Sequence, residues 1–454
     1  MCLLWAAQSR ETAAWPIPLH LTGKGTRTFA YGHVANPDCE RVHRHFPVVT
    51  APRAAYLHIP FCHRRCYYCD FAVVPLGDHA DGAHSASIAA YLPLLQAEIA
   101  ASASPAPLST VYIGGGTPSL LTPRQLGQLL DGLRQRFGLV PGAEITLEMD
   151  PASFDRLRLD GMLAAGINRV SLGGQSFDDG VLERLGRRHR RRHLLQAAGW
   201  LRQARASGAL SSWSLDLIQG LPEQDLPHWR QQLQQALALE PPHLSVYDLI
   251  VEPGTVFERL QRRGQLPLPD PDLGADLMDL TGELLRAAGY GRYEISNYAL
   301  PGHASRHNRV YWSGAGWWGF GLGATSAPYG QRQARPRTRE AYAAWLQTKG
   351  AGPPAGEPPF DEWLIVGLRR REGVNLHHLA EAAGLCAADR ASLKRWMAPW
   401  RQRGLLLVEG QRWRLADPEG LALSNAVLRE LLAWWEARQR PEQAMAEPLP
   451  AASP

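Results

Sequence analysis

Lysine is almost absent. Only Lys24, Lys349 and Lys394 occur among the 48 basic residues of this 454-residue chain, so a formal charge of +5 and a pI near 8.9 rest on arginine. An arginine habit spread over the whole chain points to codon preference rather than to a binding surface. The densest basic run, RLGRRHRRRH at 184–193, lacks the interleaved aromatics of a nucleic-acid platform, and nucleic acid is not expected as a partner. Long apolar runs are missing too. No stretch reaches the eighteen or so residues of a membrane span, and the opening Met-Cys-Leu-Leu-Trp-Ala-Ala is broken by Gln8, Arg10 and Glu11 before it could form a secretory signal. We expect a cytoplasmic protein with at most peripheral membrane contact. Cysteine is scarce: of six, Cys2, Cys39 and Cys386 are scattered and three stand together at 62–69. That pattern does not read as a disulfide framework, and it suits a reducing compartment. What remains, 45% hydrophobic and 20% charged, describes a soluble chain long enough for one large domain and a smaller one.

The clustered cysteines are the most informative feature. Cys62, Cys66 and Cys69 lie just after a short apolar run in YLHIPFCHRRCYYCDF. Three thiolates on one tight loop can hold three irons of a cubane and leave the fourth iron open to a small molecule. Zinc is the competing reading. It wants four protein ligands, and the fourth could only be His58 or His63.

Around this loop, short apolar runs at 53–59, 109–113, 144–149, 169–172, 213–218 and 243–250 alternate with helix-like stretches. Thr122 followed by Pro123 marks one helix start. Such alternation predicts an α/β fold with a parallel sheet, whose ligands gather at the carboxyl ends of the strands. The polar and glycine residues fall there: Gly115, Gly116 and Thr117 after the second run, Glu148 at the end of the third, Gln175 after the fourth, Arg187 beyond it, and Asp216 in the fifth. A buried glutamate such as Glu148 needs a partner to justify losing water, either a local salt bridge or a ligand's cation.

Cys-x3-Cys-x2-Cys with an aromatic, Tyr68, before the last cysteine resembles the signature of the radical S-adenosylmethionine (SAM) superfamily. The surrounding HIPFC extends the resemblance to the branch holding oxygen-independent coproporphyrinogen III dehydrogenase and the HemW heme chaperones. That resemblance implies a partial (β/α)6 barrel with a small winged-helix-like α+β domain at the C-terminus. It implies a [4Fe-4S] cluster on Cys62, Cys66 and Cys69, and SAM against Tyr56, Tyr68, Gly115, Gly116, Thr117, Glu148, Gln175, Arg187 and Asp216. In the superfamily the reduced cluster donates one electron to SAM, giving methionine and a 5'-deoxyadenosyl radical. In the dehydrogenase a fourth cysteine follows two positions after the third; here Phe71 stands there. HNRVYW at 307–312 instead matches the HNxxYW motif of HemW, which implies heme as a further cofactor. His307 is the candidate iron ligand and the flanking Trp and Tyr residues are candidate porphyrin platforms. Heme or another tetrapyrrole and an apo-hemoprotein acceptor are the implied partners. The alternative is the dehydrogenase reaction itself, oxidative decarboxylation of two propionates of coproporphyrinogen III.

The expected organisation is an N-terminal extension at 1–50, open to disorder, the barrel at 51–300, the HNxxYW and Gly/aromatic segment at 301–349, a HemW-like C-terminal domain at 360–438 after a Pro/Gly-rich linker, and a disordered tail at 439–454.

Overall fold

The computed structural model describes residues 51–348, apart from positions 79, 105 and 331, and residues 360–444, with side chains to 438. The expected extension at 1–50, the linker at 350–359 and the end of the tail lie outside the described residues. The described residues fall into two compact units that divide near residue 359, each taken here by itself.

In the larger unit the six expected runs are six strands: β1 (Ala54–Ile59), β2 (Leu108–Gly115), β3 (Leu139–Met149), β4 (Arg169–Gln175), β5 (Ser212–Gln219) and β6 (His243–Asp248). They pair in sequence order and all in parallel. Three short strands complete the sheet: β7 (Gly291–Arg292), β8 (Asn297–Ala299) and β9 (Trp318–Phe320). The order is β9-β1-β2-β3-β4-β5-β6-β8-β7, an open sheet. β9 adds parallel to β1, while β8 and β7 run antiparallel at the other end.

Side chains alternate across each strand, and the alternation is chemically strict. Leu57, Ile113, Leu147, Leu172, Leu215 and Leu244 join one apolar core with helix residues such as Leu126, Leu130 and Leu133, each such buried side chain contributing about 1.5–3 kcal/mol. The opposite face carries Tyr56 and His58, Thr110 and Tyr112, Thr146 and Glu148, Ser171, Ser214 and Asp216, and Ser245. The barrel therefore has a polar interior inside an apolar shell.

The helices between strands begin where local chemistry says they should. The helix α1 (Ala86–Ala101) follows β1, and α2 (Pro123–Arg136) follows β2. At the start of α2, Thr122 Oγ1 accepts from the Gln125 amide while Gln125 Oε1 accepts from the Thr122 amide, a reciprocal cap. Asp155 caps α3 (Arg156–Ala165) by accepting from the Arg158 amide and Asp225 caps α6 (Leu226–Ala238) by accepting from the His228 amide; between these two helices lie α4 (Asp179–Arg184) and α5 (Arg191–Ala206). The segment after the barrel forms α7 (Pro271–Ala287), α8 (Arg306–Trp312) and α9 (Arg339–Gln347).

The smaller unit contains α10 (Phe360–Leu368), β10 (Val374–Asn375), α11 (Leu376–Ala382), α12 (Ala387–Trp396), β11 (Leu406–Glu409), β12 (Arg412–Leu415) and α13 (Ser424–Ala444). Its sheet is antiparallel in the order β10-β12-β11, with Trp413 buried. This is the element order of a winged helix. In the larger unit Cys62, Cys66 and Cys69 are free thiols. No helix among the described residues is long and apolar enough to cross a membrane.

Candidate functional site

The carboxyl ends of β1 to β5 gather most of the expected site residues. The cysteine loop leaves β1 through Phe61–Cys62, which pairs with Val74–Pro75, and folds against the next βα turn. The amides of Gly116 and Thr117 donate to the Ile59 and Phe61 carbonyls at 2.8 and 2.7 Å. This contact requires glycine at 116, because a Cβ there would lie 2.7 Å from the Phe61 oxygen and 2.8 Å from Cys62 Sγ. Gly115 takes a φ of +117°, open to glycine and strained for other residues. Farther along the loop, the Tyr67 amide donates to Leu185 O at 3.0 Å, and Tyr68 packs against Phe257.

Burial pushes the Cys62 and Cys69 thiols up to about 12, so a metal must displace their protons on binding. The zinc alternative loses its fourth ligand. His58 pairs with Tyr56 Oη through Nδ1 and with the Ala72 carbonyl through Nε2, both at 2.9 Å, and burial lowers it to about 4. His63 Nε2 pairs with the Ala80 carbonyl at 3.1 Å. Among the described residues no group of three or more His, Cys, Asp or Glu side chains is placed to hold a metal ion together. A cubane, which offers each thiolate its own iron, is the group that the spacing suits.

Glu148 ends β3 facing the interior. It accepts from Tyr112 Oη at 2.8 Å and from the Gly115 amide at 2.9 Å. Both donors are neutral, and burial raises its pKa above the ordinary glutamate value. Two residues on, Asp150 shows the opposite balance. Burial opposes its ionisation, but the Arg187 guanidinium at 2.7 Å, assisted by His189 at 3.6 Å, holds it below the usual carboxylate range. Arg187 also donates to Gly173 O at 3.0 Å and reaches Cys66 Sγ at 3.8 Å. Asp216 accepts from Ser171 Oγ at 2.6 Å, and burial raises its pKa.

Gln175 stands at a β-bulge with a φ of 63°, unusual for a residue other than glycine. Its Oε1 is buried without a partner. A strained, bulged residue with an orphaned oxygen, a glutamate with no cationic partner among the described residues and a glycine cradle beside three thiols form a polar site that fits a cofactor carrying an ammonium group and hydrogen-bond donors.

The expectation for His307 meets a different geometry. The ring is fully buried, with Nδ1 paired to Thr110 Oγ1 at 2.8 Å and Nε2 to Tyr311 Oη at 2.6 Å. As folded here it has no nitrogen free for an iron. The neighbouring Tyr311, Trp312, Trp317 and Trp318 are buried in the protein interior, so they do not form an open porphyrin platform. Sequence reasoning passed over Asp150 and Tyr112. Their signal was spacing: Asp150 lies two residues beyond the flagged Glu148, and Tyr112 lies three residues before the flagged Gly115.

The radical SAM superfamily model matches residues 56–232. The solved structure of coproporphyrinogen III oxidase from Escherichia coli, described as a radical SAM enzyme, superposes with a TM-score of 0.70 at 23% identity, covering 84% of this chain and 90% of that one. At that identity the likeness concerns the fold. Fold and family match together define a radical SAM protein, a family that implies a [4Fe-4S] cluster and SAM. The heme chaperone HemW from Synechocystis is 41% identical over 406 residues, 84% of this chain and 97% of its own. HemW from Lactococcus lactis is 31% identical over the same shares. The chain belongs to the HemW family.

Proposed function

We propose that this protein is a heme chaperone that carries a [4Fe-4S] cluster and SAM, binds heme and delivers it to an apo-hemoprotein. The observation that carries the reading is identity to HemW chaperones along nearly their entire length. Phe71 supports it, occupying the position of the fourth cysteine in the dehydrogenase branch.

Cys62, Cys66 and Cys69 would hold the cluster, and the chemistry such a group supplies when bound is one-electron reduction of SAM. This chain's own residues bind and orient. Gly115, Gly116 and Thr117 present backbone close to the cysteine loop, Glu148 offers a carboxylate to the ammonium group, and Gln175 offers its orphaned oxygen to a donor. Arg187, fixed by Asp150, sets a positive charge beside Cys66 Sγ. Asp216 offers its carboxylate from the next strand, and Tyr56 and Tyr68 wall the site.

Anaerobically reconstituted protein given SAM and reductant tests the reading when heme and coproporphyrinogen III are supplied in parallel. Stable stoichiometric heme absorbance, release to an apo-cytochrome and no porphyrin product are expected. Conversion of coproporphyrinogen III to protoporphyrinogen IX would make the protein a dehydrogenase instead.

A further inference from the structure

We propose that His307 is a positioning residue, acting from the base of the barrel on the glutamate that receives SAM, and that the HNRVYW segment serves this end rather than iron ligation. The inference rests on the reading of Glu148 given above.

The backbone of α8 is pinned to the amino-terminal side of β2 and β3. Glu144 accepts the amides of Arg306 and His307 at 3.1 and 3.0 Å. The Arg306 guanidinium donates to Gly142 O at 2.8 Å and Ser109 O at 3.3 Å. With the backbone fixed, the two imidazole contacts to Thr110 and Tyr311 leave the ring one orientation, stacked on Tyr112 with centroids 5.2 Å apart and planes at 27°. Tyr56 stacks with Tyr112 as well, at 6.2 Å and 26°.

Tyr112 is thus fixed by aromatic neighbours, and its phenol donates to Glu148 Oε1. Thr110 and Tyr112 stand two apart on β2, so the residue His307 bonds and the residue it stacks on share one face. Charge agrees with this role. Burial lowers His307 to about 3, so the ring is neutral at physiological pH and adds no cation to compete with a ligand's ammonium at Glu148.

The test uses the reconstituted full chain and measures SAM affinity and heme absorbance on the same samples of wild type, His307→Ala, Tyr112→Phe and the double variant. Each single change should weaken SAM about tenfold. The double variant should also lose about tenfold, because both changes cut one link, and the heme titration of His307→Ala should match wild type. A roughly hundredfold loss in the double variant would overturn the proposal. Loss of heme absorbance in His307→Ala with SAM affinity intact would restore His307 as an iron ligand. If His307→Ala does not fold, Thr110→Val alone and with Tyr112→Phe carries the same comparison, since valine keeps the shape of threonine and removes the hydroxyl. Glu148→Gln separates the two readings. Wild-type SAM affinity in that variant sinks the Glu148 role itself, whereas a loss there with His307→Ala and Tyr112→Phe unaffected sinks the positioning role alone.

Discussion

Two buried glutamates in the same barrel have opposite surroundings. Glu98 on α1, 4% exposed, accepts from Arg335 Nε at 2.7 Å, from the Gly321 amide at 2.8 Å and from Tyr342 Oη at 2.6 Å. Arg335 in turn lies over the Trp345 ring. Helix α1, the loop after β9 and α9 are tied by that one carboxylate, whose charge is met within the protein. Among the described residues Glu148 has two neutral donors and no arginine, and burial raises its pKa. The difference separates a strut from a site. Where the chain supplies the counter-charge itself, the carboxylate holds structure; where it supplies donors and withholds the charge, the carboxylate is ready for a ligand's cation.

Breaking the strut should have the largest effect. Glu98→Gln leaves the Arg335 charge buried without its partner and should lower unfolding free energy by about 3–5 kcal/mol, read by denaturant melts. Equal stability of the two proteins would deny the distinction. Glu148→Gln should behave oppositely. SAM affinity of the reconstituted protein should fall by about 1.5–3 kcal/mol, while the apo protein keeps or gains stability, because a buried carboxylate with no cation beside it among the described residues has been removed.

Gly116→Ala sharpens the comparison on the cofactor side. Its methyl would meet the Phe61 carbonyl and Cys62 Sγ, and we expect about 1–3 kcal/mol of destabilisation, together with loss of iron on reconstitution. An iron content equal to wild type would show that the loop and the glycine turn need not touch.

The smallest effect is in pH. Glu148 has a raised pKa, so its ionisation destabilises the apo protein progressively as pH rises above the ordinary 4.5; the advantage of Glu148→Gln over wild type should grow in that direction. Asp150 has a depressed pKa, so its contribution is complete above the ordinary 3.8 and is lost as pH falls through its lower folded value. The deficit of Asp150→Asn should therefore shrink in acid. A shift of one unit corresponds to about 1.4 kcal/mol. SAM binding should show an acid limb above 4.5, since protonated Glu148 cannot meet an ammonium group.

Much of this was legible before any coordinate. The six parallel strands follow from short apolar runs, the start of α2 from Thr122 and Pro123, and the mouth of the barrel from what stands at strand ends. Pairings that join distant parts of the chain were not legible. β9 sits inside a glycine-rich aromatic run, is three residues long and pairs with β1 far back in sequence, so its residues looked like a stacking surface when they are core. The surroundings of His307 were hidden for the same reason. A histidine beside aromatics carries no sign of whether its nitrogens are free, and its partner Thr110 lies on a strand that the motif does not mention. Glu98 gave no signal at all, because its partners at 321, 335 and 342 are dispersed along the chain.

The most direct test of the central claim is the iron and sulfide content of the anaerobically reconstituted protein, with the electron paramagnetic resonance spectrum of its reduced form taken before and after SAM is added. A full [4Fe-4S] complement whose spectrum changes with SAM, and which is lost in Cys62→Ser, Cys66→Ser and Cys69→Ser, is the predicted result. A wild-type protein that takes up no cluster, or one whose spectrum ignores SAM, would contradict it.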